Sequence, residues 1–397
     1  MKEPAASGDG PQISADHIAA FRLARHHLAT PSTKASLARV AGDMCGAQAQ
    51  IMAAAQLSLR ARVRGLRPED VEKALWRDRT LARVWCMRGT SHLVPSEELA
   101  VFARGSTGRA DRDTAWLESH GYPATLINRV LDALRPALDR PRTRKELADR
   151  IAKTLGASSH RKSGRGWGAP RNAPGIQLGN VSLPLGYLIF LACYRGLACA
   201  GPPVKGNEAT FVRPDVWLRN WRDLPVEEAE EELLRRYLRG YGPATVTDFF
   251  AWSRMTLTAA RAIWARLAGE LAPVRADGNP AWILREDLAA LRRAKSDRPI
   301  VRLLPYFDAF LMGHMDRAHL IDAAHYKRVY LPAGWIASVV LVDGRVAGTW
   351  SYERKGERLR MKVVSFHRLT RAIREGIEAE VADIARFFDK EHELRVA

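Results

Sequence analysis

Apolar positions along the chain alternate between helical and strand spacing. Over residues 14–28, Ile18, Phe21, Leu23, Ala24 and Leu28 recur with the period of a helix, and Ser14 (with Ser32 further on) supplies a capping hydroxyl. Leu37, Val40, Ala41 and Met44 repeat the pattern up to Gly46, a residue suited to the left-handed conformation that ends a helix. A new apolar run begins at Ile51 and passes through Ala54, Ala55, Leu57 and Leu59 to the basic stretch at 60–64. Arg67-Pro68-Glu69-Asp70 predicts a helix start running through Leu75, with proline in the first turn and acids at the positive end. Residues 81–94 then read as two short strands about a Gly-Thr turn, which puts Arg88 and His92 on or beside a hairpin. Ordinary strand polarity accounts for these two residues equally well.

The same layout returns twice. Helical spacing at 124–138, 143–155 and 185–194 precedes strand patterns at 197–199 and 210–212. Helices at 227–239, 244–252 and 257–267 precede strands at 271–274 and 282–284. Between Gly156 and Gly175 lies a segment with Gly and Pro throughout, four Lys/Arg and no acid, read as a flexible basic loop. Its Arg161, Lys162, Arg165 and Arg171 suit phosphate contacts, and Trp167 suits stacking on bases; the alternative is a solvated loop with one anchoring tryptophan. From 298 onward strands dominate. Asp343-Gly344 marks a two-residue hairpin turn within 336–350, a second turn falls at 353–358, and a final helix at 369–388 carries Ile373, Ile377, Val381, Ile384 and Phe388 on one face. The expected divisions are a disordered tail at 1–12, units at 13–109, 110–224 and 225–297, and a strand-rich unit at 298–397.

Charge narrows the class of partner. The 397 residues are 47% hydrophobic, enough to fill several cores, yet carry a formal charge of +18 with a pI near 10.2. Such a balance favours polyanions. The first dozen residues are polar, and the most apolar run, near 183–194, ends at Arg195 short of a spanning length, so a cytoplasmic protein acting on nucleic acid rather than membrane is expected. Cys45, Cys86, Cys193 and Cys199 form no CxxC pair and no HExxH is present, so neither disulfides nor a metal or other cofactor is expected. Arg235, Arg236, Arg254, Arg261 and Arg266 read as solvated helix faces.

Gln48 and Gln50 carry the candidate chemistry. Two residues apart they would diverge on a helix, but on an extended segment after Gly46 they share a face. Neither amide is a base near pH 7; each offers one acceptor oxygen and two N–H donors, so the pair can orient a water molecule but not deprotonate it. Capping backbone groups at a helix junction is the plainer role.

With Met87-Arg-Gly-Thr-Ser-His-Leu-Val94, Tyr241-Gly-Pro-Ala-Thr-Val-Thr-Asp248 and the 304–317 segment Leu-Pro-Tyr-Phe-Asp-Ala-Phe-Leu-Met-Gly-His-Met-Asp-Arg, the Gln48-Ala49-Gln50 stretch resembles the AlkZ/YcaQ-type winged-helix DNA glycosylases. The resemblance covers residues 14–395. It implies an α+β fold of three tandem winged-helix units followed by a small C-terminal β-barrel with a terminal helix. It also implies a monomeric, monofunctional glycosylase that excises N7-alkylguanine-type bases from double-stranded DNA, with Gln48 and Gln50 catalytic. Arg88, His92, Arg161, Lys162, Arg165, Trp167 and Arg171 are the candidate DNA contacts. Glutamine rather than a carboxylate at position 50 matches the branch associated with unhooking interstrand crosslinks. Asp308, Asp316 and Arg317 read as a buried ion pair holding their loop. The rival readings are a non-catalytic winged-helix transcription regulator and, with less support, an RNA-binding or architectural protein.

Overall fold

In the computed structural model, residues 10–162, 173–204, 208–296 and 299–397 are described. The chain is a mixed α+β protein in which helices sit on five small sheets. In the first unit, Ser91–Pro95 lies between Ala47–Gln48 and Leu81–Trp85. In the second, Glu208–Val212 lies between Arg142–Thr143 and Cys199–Val204. In the third, Leu271–Ala276 lies between Gln12–Ile13 and Asn279–Leu284.

In the last of these, Gln12, at the edge of the stretch read as a tail, pairs in parallel with Arg275. A parallel partner 263 positions away leaves no trace in local spacing. The basic segment is also partly strand. Ser158–Lys162, Ala173–Leu178 and Val181–Pro184 form an antiparallel sheet. Gly175 permits it, because a Cβ there would come within 2.5 Å of the His160 ring. Residues 163–172, with Arg165, Trp167 and Arg171, lie outside the described residues.

The C-terminal unit differs from the expected barrel. Val301–Leu304, Val339–Val342, Arg345–Lys355, Arg358–Ser365 and Glu391–Val396 pair in that order, and the two outer strands do not meet, so the sheet is open. Closure is not needed to hide its apolar face. The Arg371–Phe388 helix covers that face, burying Ile377, Val381 and Ile384 against Leu303, Trp350, Leu359 and Val363. Its N-cap Thr370 accepts from the Ile373 amide. Glu391–Val396 then returns parallel to Arg358–Ser365, a strand the polar sequence conceals. Leu57, from the Met52–Arg60 helix, joins this core, and Arg60 beside it donates to Glu380 and Asp383. The C-terminal unit is thus locked onto the unit that carries the glutamines. No helix among the described residues is long and apolar enough to cross a membrane.

Candidate active site

Gly46 decides the local geometry. Its φ is +85°, following Cys45 at +56°, so the Leu37–Asp43 helix stops and the chain turns into the strand Ala47–Gln48. A Cβ at Gly46 would press on Val94 at 3.1 Å and His92 at 3.3 Å, so only glycine lets this segment lie against its neighbour strand. Gln48 pairs with His92, and the Ala49 amide donates to the Ser91 carbonyl at 2.6 Å. Arg83 clamps the segment from the other side, donating to the Ala49 carbonyl at 2.8 Å and to Ser91 Oγ at 2.9 Å. With the backbone extended, the two glutamines face the same way: Gln48 Nε2 donates to Gln50 Oε1 at 3.2 Å. Gln48 is buried and Gln50 exposed, so the pair runs from the interior to the surface.

Arg88 settles the orientation of both amides. It occupies the left-handed region (φ +59°) in the Met87–Gly89 turn, where its Nη2 donates to His92 Nε2 at 2.7 Å and reaches Gln48 Oε1 at 3.4 Å. A guanidinium has donors only. His92 Nε2 therefore bears no proton, and Nδ1–H donates to the Thr90 carbonyl at 3.0 Å. Gln48 must likewise turn its oxygen to Arg88 and its NH₂ to Gln50. At the surface this leaves the second lone pair of Gln50 Oε1, the Gln50 NH₂ and one Gln48 N–H for a ligand.

His92 is fully buried and both ring nitrogens are engaged, so its influence on a ligand passes through Arg88. Burial, reinforced by the Arg88 charge, holds its protonation well below the ordinary histidine range. Burial pushes the Cys86 thiol up to about 12, so it stays protonated and is no nucleophile. Among the described residues, no three His, Cys, Asp or Glu side chains are grouped to hold a metal.

The other two motif segments are scaffold. In Tyr241–Asp248, Thr245 and Asp248 form a reciprocal cap on the Val246–Ser253 helix. Tyr241 Oη donates to the carbonyls of Met44 and Ala309. In 304–317, Asp308 is fully buried and accepts from Arg62 at 2.7 and 2.8 Å, from Ser58 Oγ at 2.6 Å and from the Phe310 amide at 3.0 Å. Burial acts to raise its pKa, but the Arg62 charge and these hydrogen bonds together hold it below the usual carboxylate range. A buried pair does hold this loop, but the partner of Asp308 is Arg62 and not Arg317 as expected. It pins the loop whose Ala309 packs with Ala47 and Ala49. Asp316 accepts from the Ala318 amide and Arg317 donates to Tyr326.

Arg161 and Lys162 belong by backbone to the Ser158–Lys162 strand, a separate sheet from the glutamines. Sequence reading passed over Arg62 and Arg83, which hold the site together. Their partners Asp308 and Ala49 are 246 and 34 positions away, beyond any local spacing rule.

A hairpin-held pair of amides, oriented by a guanidinium and with no strong base, can hold water or a polar ligand but cannot abstract a proton. Comparison with known proteins gives the class. Residues 41–387 match the family described as DNA glycosylase AlkZ-like. The chain is 30% identical over 378 residues to an interstrand DNA cross-link repair glycosylase of Streptomyces sahachiroi, covering 93% of this chain and 95% of the relative. The solved structure of the Streptomyces sahachiroi DNA glycosylase AlkZ superposes with a TM-score of 0.80 at 27% identity, covering 97% of this chain and all of that one. The class is therefore DNA glycosylase. This chain belongs to the AlkZ-like DNA glycosylase family.

Proposed function

We propose that the protein excises N7-alkylguanine-type bases from duplex DNA and unhooks interstrand crosslinks built on them, acting as a monomer. The observation carrying this reading is the Arg88–Gln48–Gln50 chain of hydrogen bonds, which leaves an oriented acceptor on the exposed Gln50. N7-alkylation makes the purine cationic. When the C1′–N9 bond breaks, its electron pair stays on N9 and the base leaves neutral, so no general acid is required. Water then bonds through oxygen to C1′ of the oxocarbenium sugar. One of its protons points to Gln50 Oε1 and passes on to solvent, because an amide is not basic near neutral pH. A carboxylate at position 50, as in the other branch that the resemblance implies, keeps that acceptor oxygen.

The relative from Streptomyces sahachiroi is named for crosslink repair, and the exposure of Gln50 suits a lesion that stays in the duplex more than one flipped into a deep pocket. We read the three helix-and-sheet units as tandem winged helices, with Arg88 and the basic residues between 156 and 175 as DNA contacts. The winged-helix regulator reading loses its ground in the family membership.

The test is single-turnover excision from an N7-methylguanine duplex beside an interstrand-crosslinked duplex. Release of the base from both, leaving an intact abasic strand, is the expected result. Binding without release from either would overturn the reading.

A further inference from the structure

Arg88 is an arginine without an anion. Its Nη2 serves His92 and Gln48, but Nε and Nη1 are buried with no hydrogen-bond partner. Other guanidinium groups crowd the same turn. Arg109, from the Thr107–Ser119 helix, packs onto Gly89 so closely that a Cβ there would lie 3.1 Å from its Nη2. Arg112, one turn along, reaches the Arg254 carbonyl at 3.5 Å, and Arg254 itself leaves the Val246–Ser253 helix through a left-handed cap. Arg317, in the loop that the Met315 amide ties to Asp248 at 2.9 Å, turns its guanidinium onto the Tyr330 ring at 4.1 Å and donates to Tyr326 at 2.8 Å. Among the described residues, Arg88, Arg112, Arg254 and Arg317 form no ion pair within 4.0 Å, and Asp113 serves Arg109 alone. The Arg254 guanidinium holds its proton less firmly than usual, first through burial and then through repulsion from Arg112, Arg109 and Arg317.

Arginine cannot relieve such repulsion by losing its charge at any ordinary pH. The relief must come from an anion, and a planar fork of donors matches a phosphate oxygen pair. Arg88, Arg109 with Arg112, and Arg254 are brought together from three separate stretches of chain, so their convergence is a property of the fold and not of a basic run.

We propose that Arg109, Arg112 and Arg254 form the seat of one DNA backbone phosphodiester flanking the lesion, with Arg88 as the inner charge behind it. Resting on the DNA glycosylase reading, this adds where the backbone is gripped. The phosphate offsets the charge on Arg88, and Arg88 touches Gln48, so seating the backbone sets the register of the sugar against the two amides. Arg88 is a positioning residue in this scheme.

The test walks a single neutral methylphosphonate through the three linkages on either side of the lesion, on each strand in turn. The duplex carries 2′-fluoro-N7-methylguanine, which resists excision, so binding alone is read. At one linkage, neutralisation should weaken wild-type binding about 10-fold, as expected of charge-assisted hydrogen bonds. The R112A/R254A double variant should lose less than about twofold at that linkage. Its plot of log affinity against log salt should also be shallower by about 0.9, the share of one phosphate. Both side chains are exposed, so folding is not at stake. Equal losses in both proteins at every linkage, or an unchanged salt slope, would overturn the seat. Excision of ordinary N7-methylguanine by wild type is scored in parallel: excision without the coupling sinks the phosphate seat alone, and the coupling without excision sinks the glycosylase reading alone.

Discussion

Along the Val226–Tyr241 helix every arginine meets its counter-charge. Arg235, Arg236 and Arg239 each reach Glu232, and Glu270, Glu98 and Glu286 complete the set. Arg266 closes on Glu230 and Glu231. Around the Met87–Gly89 turn, by contrast, Arg88, Arg112 and Arg254 have no carboxylate within 4.0 Å among the described residues, and Asp113 goes to Arg109 alone. Both regions carry several arginines, but only in the first does each of them meet a carboxylate. Matched charges on a helix face are screened, and each contributes little to stability or to binding. Unmatched charges held in place by the fold store a repulsion that only an incoming anion removes. The protein's excess of 62 basic over 44 acidic residues matters most where it is not neutralised locally.

That contrast can be pressed from the largest effect downward. The Arg62–Asp308 pair is matched and fully buried, so Asp308→Asn leaves Arg62 without its anion in the interior. Unfolding free energy should fall by about 3–5 kcal/mol in a denaturant titration; a loss below about 1 kcal/mol would mean that water reaches the pair.

Next come the amides that the unmatched Arg88 orients. Gln48→Ala or Gln50→Ala should slow single-turnover excision about 10² to 10³-fold while shifting DNA affinity by much less than about tenfold. The double variant should be little worse than the poorer single one, because both amides serve one water. Stably folded alanine variants that excise at the wild-type rate would end the catalytic assignment.

Acid sharpens the comparison further. His92, with its protonation depressed in the folded state, is neutral where the unfolded chain would bind a proton. The contribution of His92 to stability is therefore fully present above about pH 6.5 and is lost as the pH drops below it, by about 1.4 kcal/mol per unit. Buried His26 and His314 are held down in the same sense. His92→Gln should flatten the slope of stability against pH by that single increment, and an unchanged slope would show that His92 protonates while folded.

The smallest effect belongs to the matched surface. Arg266→Ala should cost about 0.2–1 kcal/mol of stability and leave the salt dependence of DNA binding unchanged. A shallower salt slope would place the Val226–Tyr241 face in the DNA interface.

Sequence and structure agree where physics is local. The helices near 124–138, 185–194 and 226–241 follow from apolar spacing, and the Asp343-Gly344 hairpin follows from two residues that accept positive φ. The shared direction of Gln48 and Gln50 was likewise legible, because a helix stop at Gly46 forces an extended segment on which alternate residues align. The motif segments 241–248 and 304–317 were visible, but their work was not: one caps a helix and the other seats a buried carboxylate. His92 looked like a polar strand residue open to DNA and is an interior group that orients Arg88. Arg112 stands between Asp111 and Asp113 in the sequence and looks locally neutral, yet Asp113 turns to Arg109.

By itself, the sequence determined the α+β character, the repeated order of helices and strands, the extended glutamine segment and the polyanion-directed charge, since each rests on neighbours within a few residues. Only the tertiary structure decided that Gln12 starts a sheet with Arg275 and that the C-terminal sheet stays open under its helix. It also brought Arg62 to Asp308, and left Arg88, Arg112 and Arg254 without an acid within 4.0 Å among the described residues. Those outcomes depend on which distant groups are brought within about 4 Å, where charge and hydrogen bonding act strongly, and separation along the chain says nothing about that distance.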